Sequence, residues 1–178
     1  AWEDLVLINY EHPSEIVRAE LWAYMIEYAL FWARYADATG GFVRFDNLHS
    51  GNPRFVEAVT RAMREACPSL GIIAEYFTDE GTLLSNVPDW RLNLVMAMPW
   101  SYKFVPQLRA YVQYLHRISD HVRYFMPITS HDSGSPAQEF GGAESTVPRY
   151  VAAALLGTGA TGIVQGVECG IREKVPVI

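Results

Sequence analysis

A chain of 178 residues, half of them hydrophobic, suffices for one domain with a sizeable core. Its 14 Lys and Arg against 20 Asp and Glu give a formal charge of −6, and no basic cluster is interleaved with aromatics, which argues against a nucleic-acid partner. No charged leader precedes an apolar run, no stretch reaches about 18 apolar residues, and Cys67 and Cys169 lie far apart without metal-ligand spacing, so a soluble protein with no membrane partner and no disulfide framework is predicted.

The first predicted element is a long helix over residues 14–36, with Ser14 as N-cap and Ile16, Val17, Leu21, Trp22, Met25, Ile26, Ala29, Leu30 and Ala33 forming a broad apolar stripe. Gly40-Gly41 ends the connection, and Phe42–Phe45 reads as a strand that stops abruptly in Asp46-Asn47-Leu48-His49. A helix over 55–66 ends before Pro68. A second strand follows over 70–76, apolar apart from Glu75, and a third over 92–98. An amphipathic helix over 106–124 leads to a strand over 125–129 that ends in Ser130-His131-Asp132. A Gly- and Ser-rich loop over 133–146 precedes a helix over 148–156, and residues 162–167 read as a last strand closing on Glu168.

Repeated strand and helix units at this spacing predict a parallel α/β fold. A doubly wound sheet and a (β/α)₈ barrel both fit the rhythm. No Gly-rich phosphate loop follows any strand, and Asp46, Glu75 and Asp132 each fall at the C-terminal end of a different strand, where barrel enzymes carry their catalytic groups. The prediction is therefore a barrel, and an incomplete one. About five βα units fit in this length, whereas a full barrel needs roughly 250 residues. The chain also opens at Ala1 within a folded pattern, so a piece of a longer protein is expected.

Alternation along a strand points Arg44 and Asp46 the same way. A guanidinium beside a carboxylate favours its ionised form, which a carboxylate nucleophile requires. Glu75 follows Ile72-Ile73-Ala74 and precedes Tyr76-Phe77, an apolar setting expected to keep a carboxyl protonated for general acid work. Two such carboxyls about 5–5.5 Å apart suit a retaining glycosidase. Asp132, His49 and His131 would hold sugar hydroxyls, with Arg44. His116 and His121 lie five apart on one helix, which is not metal spacing, and no metal site is predicted. Trp90, Trp100 and Tyr102 bracket the third strand and are read mainly as packing, with stacking on a sugar as the other role open to them. Asp79 and Glu80 are read as loop surface.

The stretches Gly41-Phe42-Val43-Arg44-Phe45-Asp46, Ala74-Glu75 and His131-Asp132 resemble three short signature regions of the α-amylase superfamily of glycoside hydrolases. Trp2-Glu3-Asp4 to Asn9-Tyr10 with Phe31-Trp32, and Gly162-Ile163-Val164-Gln165-Gly166-Val167-Glu168-Cys169-Gly170, resemble the lead-in to that family's fourth strand and its eighth strand. The resemblance spans nearly the whole chain in order. It implies roughly strands 4 to 8 of a TIM (β/α)₈ barrel, the C-terminal portion of an α-amylase-type catalytic domain over 1–178. It also implies Asp46 as nucleophile, Glu75 as acid/base and Asp132 as transition-state stabiliser, acting on an α-glucan or oligosaccharide with no organic cofactor. A structural calcium would lie near the family's third strand, outside this chain.

Arg44-Phe45-Asp46-Asn47-Leu48-His49-Ser50 is most similar to the form found in debranching glucanotransferases and maltosyltransferases. Two departures stand out: Ser130 where the family usually has Asn, and Ala160-Thr161 where Gly-x-Pro is common. With strands 1–3 missing, the expectations are an isolated chain that is inactive and exposed strand edges that favour self-association. A non-catalytic carbohydrate-binding or regulatory barrel is the alternative.

Overall fold

The computed structural model describes residues 6–174; Trp2-Glu3-Asp4 lie outside this range. The first helix, α1 (Glu15–Ala38), begins where Ser14 Oγ accepts the Val17 N–H at 3.5 Å. Strand β1 (Phe42–Phe45) follows, then α2 (Pro53–Ala66), whose N-cap Asn52 accepts the Phe55 N–H at 3.0 Å. Next come β2 (Gly71–Ala74), α3 (Glu80–Asp89), β3 (Leu94–Met96), α4 (Val105–Arg117) and β4 (Tyr124–Phe125). A one-turn helix, α5 (Pro136–Glu139), and α6 (Thr146–Leu156) complete the set.

The four strands pair in chain order, and every pair is parallel. Val43, Ile72, Ala74, Val95 and Tyr124 face the helices and join one apolar cluster with Leu30, Ala33, Val59, Met63, Leu83, Leu115 and Ile118. The opposite face carries Phe42, Arg44, Ile73 and Leu94, none of them fully buried. A doubly wound sheet would have helices on both faces. Consecutive parallel strands with helices on one face form the wall of a barrel. The fold is thus a partial TIM barrel, as predicted.

The strands are shorter than predicted: 70–76 is Gly71–Ala74, 92–98 is Leu94–Met96, and the strand expected over 125–129 is only Tyr124–Phe125. Helix α4 stops at Arg117, and a turn over 118–123 delivers the chain to β4. Helix α3 was unforeseen, because it is short and carries Pro88. Asp79, read as loop surface, is its N-cap, accepting the Thr82 N–H at 3.0 Å, and Glu80 forms a two-bond ion pair with Arg117 of α4. Finally, 162–167 is not a strand. Only Ala160 bridges β4: its N–H donates to the Tyr124 carbonyl at 3.1 Å and its carbonyl accepts from Met126 at 2.7 Å. The neighbouring β4 is itself two residues long and offers little to pair with. The chain then bends through Gly166 and Gly170, both at left-handed φ.

Arg64 on α2 ties the N-terminal ends of the strands together. Its guanidinium donates to the carbonyls of Leu70 and Arg91 and to Asn93 Oδ1, and Asn93 Oδ1 in turn accepts the Ile72 N–H at 2.8 Å. Removing a charged donor and orphaning its buried acceptors costs about 3 kcal/mol in such settings. Arg64→Ala should therefore lower the urea midpoint by that equivalent with an unchanged m-value.

Candidate active site

The site begins from strand register. Parallel pairing sets Phe45 beside Ala74, so one residue further on Asp46 lies beside Glu75, with strands about 4.8 Å apart. Backbone bonds carry the pairing past the strand ends: the Glu75 N–H donates to the Phe45 carbonyl at 2.9 Å, and the Leu48 N–H to the Glu75 carbonyl at 2.8 Å. The same register puts Arg44 on the inner face, one pleat below. Its two terminal nitrogens divide between the carboxylates: Nη1 donates to Asp46 Oδ1 at 2.5 Å and Nη2 to Glu75 Oε2 at 3.0 Å.

Partial burial pushes the Asp46 carboxyl up, but the hydrogen bond from Arg44, a second with Glu75, and the charges of Arg44 and His131 outweigh it. The net result is an Asp46 held below the ordinary carboxylate range, the direction expected from the sequence. Asp46 thus remains ionised at lower pH in the fold than in the unfolded chain. The stability it contributes is complete above its unfolded value and is lost as pH falls through its lower folded value. Arg44→Met should raise the Asp46 pKa, shifting any acid limb of activity that reports it to higher pH.

Glu75 sits less exposed than Asp46, but not in the apolar pocket the sequence suggested. Oε2 accepts both the Arg44 guanidinium and the Asn47 N–H, the latter at 3.0 Å. The second donor, Asn47, was not among the candidate site residues of the sequence. Asn47 adopts left-handed φ 46°, ψ 42°, which turns its N–H back toward Glu75 and starts the 3₁₀ turn Leu48–Ser50. Asn tolerates that region where a β-branched residue does not. Asn47→Gly should preserve the melting temperature, whereas Asn47→Val should destabilise by about 1–3 kcal/mol, readable by calorimetry.

His49 lies exposed on that turn, its ring 5.7 Å from Phe77 and its Nδ1 3.5 Å from the Phe77 N–H. His131 and Asp132, expected at a strand end, instead lie six and seven residues past β4 on a hydroxyl-rich loop, with His131 Nε2 3.2 Å from Asp132 Oδ2. Ser130 shapes this loop: its Oγ accepts the N–H groups of Asp132 at 3.1 Å and Ser133 at 3.3 Å, while Ser133 Oγ accepts the Ser130 N–H at 2.8 Å. The small hydroxyl at 130 therefore supports the turn that presents Asp132.

Arg149 of α6 braces this end of the sheet, stacking over Phe140 and donating to the Tyr102 carbonyl at 3.1 Å. Trp90 is buried against Tyr76, and Tyr102 packs on Tyr111 with ring centroids 4.5 Å apart. Burial pushes the Tyr111 hydroxyl up to about 12, against the Met98 N–H it accepts at 2.9 Å. His116 Nε2 lies 2.9 Å from the Leu156 carbonyl, a structural contact. Among the described residues no group of three His, Cys, Asp or Glu is placed to hold a metal, and no helix is long and apolar enough to cross a membrane.

Consecutive parallel strands with helices on one face form a (β/α) barrel wall, and Asp46 and Glu75 lie at the C-terminal strand ends of that wall. Several solved structures share this fold. One is the Nostoc punctiforme debranching enzyme soaked with acarbose, at TM-score 0.65 and 16% identity over 88% of this chain. Another is the cyclic α-maltosyl-(1→6)-maltose hydrolase of Arthrobacter globiformis in complex with maltose, at TM-score 0.64 and 19% identity over 85% of this chain. A third is an α-amylase from Lactobacillus plantarum, at TM-score 0.63 and 18% identity over 94% of this chain. This chain spans 37%, 37% and 42% of their respective lengths. No family model and no curated protein matches it.

Proposed function

We propose that this chain is the C-terminal portion of the catalytic barrel of a retaining, α-glucan-active glycoside hydrolase or transglycosylase. The observation that carries the reading is the single Arg44 guanidinium shared between Asp46 and Glu75 at neighbouring parallel strand ends. Asp46, the carboxylate held ionised, attacks the anomeric carbon as the leaving oxygen takes a proton from Glu75; water or an acceptor sugar, deprotonated by Glu75, then displaces Asp46. Asp132 stabilises the oxocarbenium-like transition state and grips hydroxyls with His49 and His131. The substrate class is an α-linked oligosaccharide. The test is release or transfer of glucosyl units from α-1,4-glucans by the full-length protein, with anomeric retention read by NMR; inverted product would contradict it.

One observation favours a second reading. Glu75 Oε2 already accepts two donors, and Asp132 sits on an exposed loop paired with His131, an arrangement that would serve sugar binding without chemistry. Oligosaccharide binding by calorimetry with no product from the full-length protein would establish this non-catalytic barrel.

The incompleteness of the barrel is supported by its surface. Helix α1 turns Tyr24, Tyr28, Phe31 and Tyr35 outward on one stripe, and β1 pairs on one side only among the described residues. In the full-length protein, preceding barrel units cover both. The 178-residue chain alone should be inactive and should self-associate through these surfaces. A monodisperse, cooperatively melting monomer by light scattering and calorimetry would contradict that expectation.

A further inference from the structure

A cavity of about 380 Å³ opens between the N-terminal ends of α1 and α2, on the carboxylate side of the sheet. Chain direction places it there. Asn52, the N-cap of α2, closes the loop that Asp46 begins, and α1 reaches β1 through a short turn, so it runs antiparallel to the strand and starts on that same side. Tyr10, Glu11, Arg18, Trp22, Asn52 and Arg54 line the cavity. Its walls are held from behind. The Tyr10 ring stacks on Phe55 with centroids 4.0 Å apart, and the Trp22 indole N–H donates to the Tyr10 carbonyl at 2.9 Å. Asn52 Nδ2 donates to Glu11 Oε1 at 2.9 Å, and Arg18 Nη1 to the His12 carbonyl at 3.1 Å. Among the described residues neither Arg18 nor Arg54 forms an ion pair, and Glu11 keeps its second carboxylate oxygen beyond the bond to Asn52.

The mixture of groups decides what fits. Two guanidiniums beside one carboxylate supply both donors and acceptors, and two aromatic side chains supply apolar wall. An apolar ligand would strip water from the guanidiniums without replacing its hydrogen bonds. An inorganic anion would meet the Glu11 carboxylate and leave the aromatic wall unused. A sugar ring satisfies both, because its hydroxyls donate and accept while its C–H faces are apolar. The volume falls within the roughly 300–1,000 Å³ of small-ligand sites. We propose that this cavity binds a glucosyl unit of an α-glucan. Arg18 and Arg54 donate to its hydroxyls, Glu11 accepts from one, and Tyr10 and Trp22 form the wall on which it packs. The proposal rests on the α-glucan reading of the strand-end carboxylates and adds a second point of attachment, beside the loop that leaves Asp46.

The test is an NMR titration of the full-length Asp46→Asn protein, in which turnover is blocked, with maltoheptaose and isotope-labelled tryptophan. The expected result is a saturable shift of one indole N–H resonance, the one that Trp22→Phe removes. Arg54 is exposed, so Arg54→Ala should leave the melting temperature unchanged. It should weaken the response about tenfold, the equivalent of one charge-assisted hydrogen bond. Inorganic phosphate at matched ionic strength should neither reproduce nor displace the response. A response that Arg54→Ala leaves unchanged, or that phosphate displaces, overturns the proposal. Maltoheptaose binding by calorimetry with the Trp22 resonance unmoved overturns this proposal alone and leaves the carboxylate site standing. No maltoheptaose binding at all overturns both.

Discussion

Asp46→Asn in the full-length protein should reduce turnover of α-1,4-glucans by about four orders of magnitude or more, the scale of losing a covalent nucleophile. The amide is nearly isosteric and can still meet Arg44, so folding should survive. Loss of activity with retained oligosaccharide affinity would therefore separate chemistry from binding. If most activity remained, Asp46 would be a structural partner of Arg44 and the proposed mechanism would fail. The prediction draws on two features together: the register that brings Asp46 beside Glu75, and the guanidinium that keeps Asp46 ionised.

Glu75→Gln should reduce turnover of glucans by about 10²–10⁴-fold, the usual contribution of a positioned proton donor. The loss should depend on the leaving group. A glucan leaving oxygen needs its proton, whereas an activated aryl glucoside does not, so aryl substrates should retain far more of their cleavage rate. An equal loss on both substrate types would assign Glu75 to orienting Arg44 and Asn47 instead of to proton transfer. This comparison addresses the feature least expected from sequence, the two donors on Glu75 Oε2.

The barrel wall was legible because its determinants are local. Gly40-Gly41 before β1, the apolar run Ile72-Ile73-Ala74, and the capping residue Ser14 each act over a few residues. The Arg44–Asp46 pair was legible for the same reason, since alternation fixes its shared face. What could not be read depends on partners distant in sequence. Whether 162–167 forms a strand is decided by the strand beside it, and β4 offers only two residues. The surroundings of Glu75 depend on Asn47 turning left-handed 28 residues earlier in the chain, which reverses the polarity inferred from Glu75's own neighbours. The position of Asp132 depends on a network of Thr129, Ser130 and Ser133 that pattern alone does not disclose. Helix α3 was hidden by Pro88, which a short helix tolerates near its last turn.

The most direct test of the central claim is to trap the covalent intermediate. In the Glu75→Gln variant of the full-length protein, an activated α-glucosyl donor should glycosylate the nucleophile readily, while hydrolysis of the adduct, which needs the general base, slows. Intact-mass and peptide mass spectrometry should then find one added glucosyl unit on the peptide carrying Asp46. No adduct, or an adduct on the peptide carrying Asp132, would contradict the account.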